Sequence, residues 1–275
     1  MRMFFSSYIR SILNPKLIND FKRALGLSSF DIDYELSRIS KLGRFKTGET
    51  NLIHPNFRFI DSESFINQFI EIFRNDILTF KTDITNPLIL DCGSNVGVSV
   101  CYFKSIFPSS RIIAFEPDSE IFSVLKQNTR CFDPSEVEIH NRAVWTEETN
   151  LSFQSNGADG GRLQSQGEQS VSAVRLSDYL QTEVNMLKMD IEGAEKFVLP
   201  SIAENLKNVE HIFLELHVEE KEPELIEHTC QLLREQGFRF KIDTIGLVNF
   251  QSFKDRDIYS MQMNIYAVNE NFRNF

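Results

Sequence analysis

The chain contains no run of 18 apolar residues, so nothing in it reads as a membrane-spanning helix. Its opening stretch, MRMFFSSYIRSIL, is broken by Ser, Tyr and Arg and has no small-residue cleavage site, which excludes a signal peptide reading. Cysteine is scarce. Cys92, Cys101, Cys131 and Cys230 form no CxxC pair, which argues against a disulfide framework or a zinc site and for the reduced thiols of a cytoplasmic protein. Positive charge is also short: a net charge of −10 argues against nucleic acid as the main partner, because phosphate binding needs a basic footprint.

What is present is an ordinary globular composition, 41% hydrophobic and 25% charged, with 25 phenylalanines to fill a core. The charge is unevenly spread. Residues 1–46 hold nine Lys/Arg against four Asp/Glu, a net of +5 that leaves −15 on the remainder. A basic N-terminal region of this kind suits peripheral docking to an anionic membrane or an acidic protein, or is simply a solvated surface.

Apolar residues at Phe5, Ile9, Ile12 and Leu13, then Leu17, Ile18, Phe21 and Leu25, recur at helical spacing and predict two short helices before Gly26, separated at Pro15. A further helix is expected from Ser62, with Phe65, Ile66, Phe69, Ile70, Phe73 and Ile77 as its buried stripe. Residues 28–60 carry no clear period. From Pro87 the pattern alternates: strands at 88–91, 111–116, 137–141, 186–190 and 211–217, with helices at 96–107, 119–131, 176–182, 194–207 and 224–236. Continuous apolar strands separated by helices mean a parallel sheet covered on both faces. Residues 238–245 and 258–268 read as a closing hairpin that adds an antiparallel strand. The polar, Gly-rich stretch 154–170 reads as a mobile loop or lid. The division expected is a helical N-terminal region, 1–85, which docks an acceptor or partner, and an α/β domain, 86–275.

Four motifs carry chemistry. In LILDCGSNVG a strand runs into Asp91, and Gly93 and Gly97 bracket a turn that opens a helix. The spacing is G-x-x-x-G, with Ser94 and Asn95 inside. It lacks the middle glycine with which a dinucleotide fingerprint admits a diphosphate. Such a turn suits an amino-acid moiety, whose ammonium the Asp91 carboxylate would attract. Glu116, 23 residues beyond Gly93 at the tip of the next strand, is placed to accept hydrogen bonds from both ribose hydroxyls of a nucleoside, with Pro117 starting the following helix. In LKMDIEGAE and IFLELH, Asp190, Glu192, Glu215 and His217 fall at the carboxyl ends of two later strands, where open α/β sheets bind ligands. The period of two puts Glu215 and His217 on one strand face. Carboxylates and an imidazole in one cleft could deprotonate an alcohol or bind a divalent metal, although no ligand spacing demands a metal.

These stretches, LILDCGSNVGVS, IIAFEPDSE, HNRAVW, LKMDIEGAE and IFLELH, occur in the order and at spacings compatible with the FkbM family of methyltransferases, which residues 86–217 resemble. The resemblance implies a class I methyltransferase fold, a Rossmann-like, seven-stranded and mostly parallel sheet, with S-adenosylmethionine as cofactor. It implies methyl transfer to a hydroxyl of a sugar, polyketide or other glycan-like acceptor. By the same match Asp91, Gly93, Asn95, Gly97 and Glu116 would bind the cofactor, Ala143 would lie near the adenine, and Asp190 would stand at the reaction centre. Cys92 and Ser94 depart from the aliphatic residue and Ala commoner there. Ser94 joins the expected cofactor contacts, and Asp190, His217 and Glu215 are the candidate catalytic groups. An alcohol has a high pKa, so a base must take its proton as the bond forms, and Asp190 or His217 is the candidate. An N-methyltransferase would share every cofactor motif, and a catalytically silent cofactor-binding scaffold is the other alternative.

Overall fold

The computed structural model describes residues 32–154, 162–163, 169–219, 221–244 and 261–272. The two helices expected before Gly26 lie outside these residues, as does most of the 154–170 loop. The chain divides between Thr79 and Phe80 into two units, six residues before the division expected from the sequence.

The described part of the first unit contains helix α1 (Ile32–Ser40), strands β1 (Gly48–Thr50) and β2 (Phe57–Phe59), and helix α2 (Ser62–Gln68), which widens into a π-turn over Phe69–Arg74. The two strands pair antiparallel, a hairpin that the unpatterned 28–60 stretch did not announce. Asp61 caps α2 by accepting the backbone N–H of Ser64. Phe59 stacks on Phe65 at 5.0 Å and Phe69 on Phe73 at 5.4 Å, so the phenylalanine stripe fills this small core.

The second unit is built on a seven-stranded sheet. In chain order its elements are β3 (Leu88–Cys92), α3 (Val98–Ile106), β4 (Arg111–Phe115), α4 (Ser119–Thr129), β5 (Val137–His140), β10 (Val184–Met189), α5 (Glu195–Ser201), β11 (Val209–Val218), α6 (Leu225–Glu235), β12 (Phe238–Thr244) and β13 (Met261–Asn269). The strand order is β12-β13-β11-β10-β3-β4-β5, with β13 antiparallel to both neighbours and the other described pairs parallel. All six residues of β10 are buried, as a central parallel strand covered on both faces requires. The seven-stranded, mostly parallel sheet with its C-terminal hairpin is the architecture the sequence pattern predicted.

Three local differences have physical reasons. Pro117 precedes α4 and does not start it: Asp118 is the N-cap, accepting the N–H groups of Glu120 and Ile121. The helix expected over 194–207 is split, because Pro200, which has no N–H, sits in the last turn of α5, and Ala203–Asn208 continue as a 3₁₀ helix. Between β5 and β10 lies a second sheet, in the order β6-β9-β7-β8, from β6 (Ala143–Trp145), β7 (Thr149–Gln154), β8 (Arg162–Leu163) and β9 (Gln169–Arg175). Val171 and Ala173 are buried while Ser170 and Ser172 are exposed, the alternation of a sheet with one covered face.

Strands β3, β4 and β5 run outward in one direction, and the chain then returns to place β10 on the other side of β3. The carboxyl ends of β3 and β10 therefore flank a topological switch point, the place where an open α/β sheet leaves a crevice for a ligand. No helix among the described residues is long and apolar enough to cross a membrane.

Candidate active site

The turn after β3 is packed too tightly for any residue but glycine at its first position. Gly93 has φ 84°, and a Cβ there would meet the Asp190 carbonyl oxygen at 1.8 Å, so β3 and the loop after β10 touch through backbone alone. The N–H groups of Gly93 and Ser94 both donate to the Phe115 carbonyl, and Ser94 Oγ donates to the Asp91 carbonyl at 2.8 Å. Ser94 and Gly97 are buried, while Gly93 and Asn95 keep accessible surface. Of the residues expected to touch a cofactor in this turn, Gly93 and Asn95 face outward, and Ser94 and Gly97 shape the bend.

Asp91 is fully buried. Its Oδ2 accepts the Ser99 hydroxyl at 2.5 Å, and its Oδ1 lies 3.4 Å from Lys188 Nζ. Its carboxylate is spent on contacts within the protein. It anchors Lys188. That lysine donates to the Gly93 carbonyl at 2.6 Å and lies 3.6 Å from Asp190 Oδ2. Burial works against its charge, but Asp91 first, then Asp190 and Glu215, outweigh the burial and hold its pKa above the ordinary lysine value.

Glu116 directly follows β4 and is buried. Its two oxygens accept one backbone N–H each, from Asn95 at 3.0 Å and Asp118 at 2.9 Å, so it joins the glycine turn to the start of α4. Burial pushes its carboxyl up to about 8, against the two N–H donors and Lys188. Asn141 Nδ2 donates to the Glu116 and Pro117 carbonyls and fastens the same corner. Ala143 is buried in the second sheet among Phe153, Val171 and Ala173.

Beyond β10, Glu192 and Gly193 adopt positive φ. Glu195 is buried and accepts the N–H groups of Ile191 and Gly193, both at 2.8 Å, closing this loop from within. His217, on β11, is enclosed by carboxylates: Glu195 Oε1 lies 3.3 Å from Nδ1, with Glu215 and Glu192 at 3.6 and 3.7 Å from Nε2. Burial opposes its charge, but Glu195 foremost, then Glu192 and Asp190, raise its pKa to about 10. The imidazole is therefore protonated at neutral pH. Its neighbours favour the charged imidazole, which lies as an internal counter-charge among these carboxylates.

The site thus gathers Asp190, Glu192, Glu215 and His217, as expected, at the mouth of the switch-point crevice. Asp190 has the most exposed of these side chains, at 30%, and is the acid best placed to meet a substrate. Asp190, Glu192 and His217 each offer one donor atom within 4.8 Å of the others, a set that could hold a divalent cation, which would have to displace the His217 proton. The sequence reading missed Lys188, Ser99 and the internal role of Glu195. The signal for Lys188 was a cation two residues before Asp190 in an otherwise apolar strand.

A glycine turn joined to a buried acid at the second strand tip, beside a cluster of acids at the ends of β10 and β11, marks the candidate site of an open α/β protein. The FkbM-type methyltransferase domain model matches residues 91–240, more than half of the chain, and the chain belongs to that methyltransferase family. It is 29% identical over 188 residues to Methyltransferase 1 of Beauveria bassiana, covering 58% of this chain and 72% of that protein. It is 23% identical over 139 residues to the hexuronic acid methyltransferase AglP of Haloferax volcanii, covering 48% of this chain and 56% of that protein. Among solved structures, the FkbM methyltransferase of Methylobacillus flagellatus superposes with a TM-score of 0.48 at 15% identity, over 70% of this chain; the match spans 46% of that longer chain.

Proposed function

We propose that this chain transfers a methyl group from S-adenosylmethionine to a hydroxyl oxygen of a sugar or related glycan-like acceptor. The observation that carries the reading is the joining of Glu116 to the Gly93–Gly97 turn across the switch point from the half-exposed Asp190. The residues fit this cofactor. Each Glu116 oxygen, having accepted one backbone N–H, keeps a lone pair for a ribose hydroxyl. The acids around Asp190 outnumber the cations there and favour a positively charged ligand. Bound in this crevice, S-adenosylmethionine supplies an activated methyl group on a sulfonium.

The chain's own contribution is positioning and one proton. Lys188 holds the Gly93 carbonyl and keeps the Asp190 carboxylate aimed at the crevice mouth. Asp190 takes the hydroxyl proton of the acceptor as that oxygen becomes nucleophilic, while His217, already protonated, stabilises the carboxylates around it. That one relative is named for hexuronic acid supports a sugar-like acceptor.

The test is incubation of the purified chain with methyl-labelled S-adenosylmethionine and a panel of sugars, uronic acids and amines, read by mass spectrometry. Label on a hydroxyl of a sugar-class acceptor is the expected result. Label confined to amines overturns the acceptor assignment, and no cofactor binding by calorimetry overturns the whole reading.

A further inference from the structure

We propose that the loop from Lys41 to Lys46 docks the protein on an anionic lipid surface. The proposal is independent of the methyl-transfer reading and concerns the first unit alone. Five large hydrophobic side chains are exposed among the described residues, and two of them, Leu42 at 39% and Phe45 at 59%, sit three residues apart in this one loop. Exposed apolar residues scattered singly need no explanation. These two alternate with basic residues, of which Arg44 pairs with Asp61 and lies 3.9 Å from Glu63. Lys41, Arg44 and Lys46 flank them, and residues 36–48 contain four Lys/Arg and no Asp or Glu, in a chain whose net charge is −10.

The loop is held in shape. Leu42 N–H donates to the Ile39 carbonyl at 2.9 Å, closing the end of α1, and Ser62 Oγ donates to the Gly43 carbonyl at 2.5 Å. Phe45 has φ 57°, a left-handed backbone that a bulky side chain adopts only where its surroundings fix it. What fixes it is buried Asp61, which accepts the Phe45 N–H, pairs with Arg44 Nε at 3.3 Å and also caps α2. The Arg44 guanidinium lies 5.0 Å from the centroid of the Phe45 ring, so one cation accompanies the ring outward. A carboxylate shared between the helix cap and the loop thus presents an aromatic and an aliphatic side chain to the outside with little ordering left to do on contact.

Leucine and phenylalanine ringed by lysine and arginine match the two layers of an anionic bilayer surface, acyl boundary and headgroup charge. The expectation is tested with the full-length chain, by co-sedimentation with vesicles of phosphatidylcholine with and without phosphatidylserine, at low and high salt. Wild type should bind only the phosphatidylserine vesicles and be released by salt. Leu42→Ser with Phe45→Ser should weaken binding by about tenfold or more. Lys41→Gln with Lys46→Gln should weaken it by about fivefold per cation removed. Unchanged melting temperatures, expected for exposed positions, separate lost docking from lost folding. No binding by wild type, equal binding to phosphatidylcholine alone, or variants that both bind like wild type would overturn the proposal. The last result would move any attachment to residues outside this loop.

Discussion

Glu116 should make nucleoside affinity depend on pH in a calculable way. A ribose diol offers two donors and pairs with the ionised carboxylate, whereas burial holds this carboxyl up to about 8. With that value roughly a tenth of molecules carry the charge at pH 7 and roughly nine-tenths at pH 9. Apparent affinity scales with the competent fraction, so it should rise about tenfold from pH 7 to pH 9 and about another tenfold between pH 6 and pH 7. Adenosine is the proper probe, because it carries the diol and no group of its own that titrates in this window. Calorimetry or ligand-observed NMR across pH 6 to 9 reads the slope. Glu116→Gln should flatten it and weaken binding at pH 9 by about 1.5–3 kcal/mol, the range for hydrogen bonds to a charged group. For the ligand-free protein the sign is opposite. Folding raises this pKa from 4.5, so the folded state holds the proton more tightly, and the contribution of Glu116 to stability falls as pH rises from 4.5 to about 8. A flat wild-type affinity from pH 6 to 9, or a slope that survives in Glu116→Gln, would refute the reasoning.

Three further outcomes follow from the same geometry. Asp190→Asn keeps the shape but removes the basic group, so kcat should fall by roughly 10²–10⁴ with far less change in cofactor affinity; near-full turnover in single-turnover assays would sink its role as base. His217 has a pKa raised from 6.5 to about 10 by folding, so its stabilisation is complete below pH 6.5 and is lost as pH rises through about 10. Thermal melts of wild type minus His217→Gln should show a loss confined to that window, and a constant difference would contradict the carboxylate cage. Lys188→Met leaves Asp91 buried beside no cation and should cost about 3–5 kcal/mol in denaturant unfolding, partly restored by adding Asp91→Asn; a neutral single variant would show that Lys188 carries no such load.

The sheet was legible because its strands state their environment. In the strands at 88–91 and 111–116, Leu88–Leu90 and Ile112–Phe115 are continuous apolar runs, as strands buried on both faces are written. The second sheet was not, because Thr149–Gln154 and Gln169–Arg175 cover one face only and their polar alternates read as loop. Asp190, Glu215 and Glu192 were legible as site residues from their places at strand ends. Their division of labour was not, since it depends on which neighbour is buried. Sequence spacing puts Asp91 beside the ligand and offers His217 as a base; burial turns the first inward, and the carboxylates around the second favour its charged form against its burial.

Burial also explains how so acidic a cleft holds together. Five carboxylates, Asp91, Asp190, Glu192, Glu195 and Glu215, meet two cations, Lys188 and His217. The two most deeply buried carboxylates each have a buried cation close by, Asp91 beside Lys188 and Glu195 beside His217, and each also accepts protein hydrogen bonds. A buried charge is tolerable only when paired and bonded in this way. The other three acids, Asp190, Glu192 and Glu215, have side chains still 30%, 19% and 20% exposed. The surplus negative charge is thereby carried at the mouth, where water relieves part of its repulsion until a ligand arrives. On the proposed reading, a sulfonium at that mouth would meet a net excess of carboxylates, from which the neutral thioether that remains after methyl transfer would gain nothing. On that reading the same arrangement that steadies the ligand-free fold would bias the site toward the charged cofactor and away from its product.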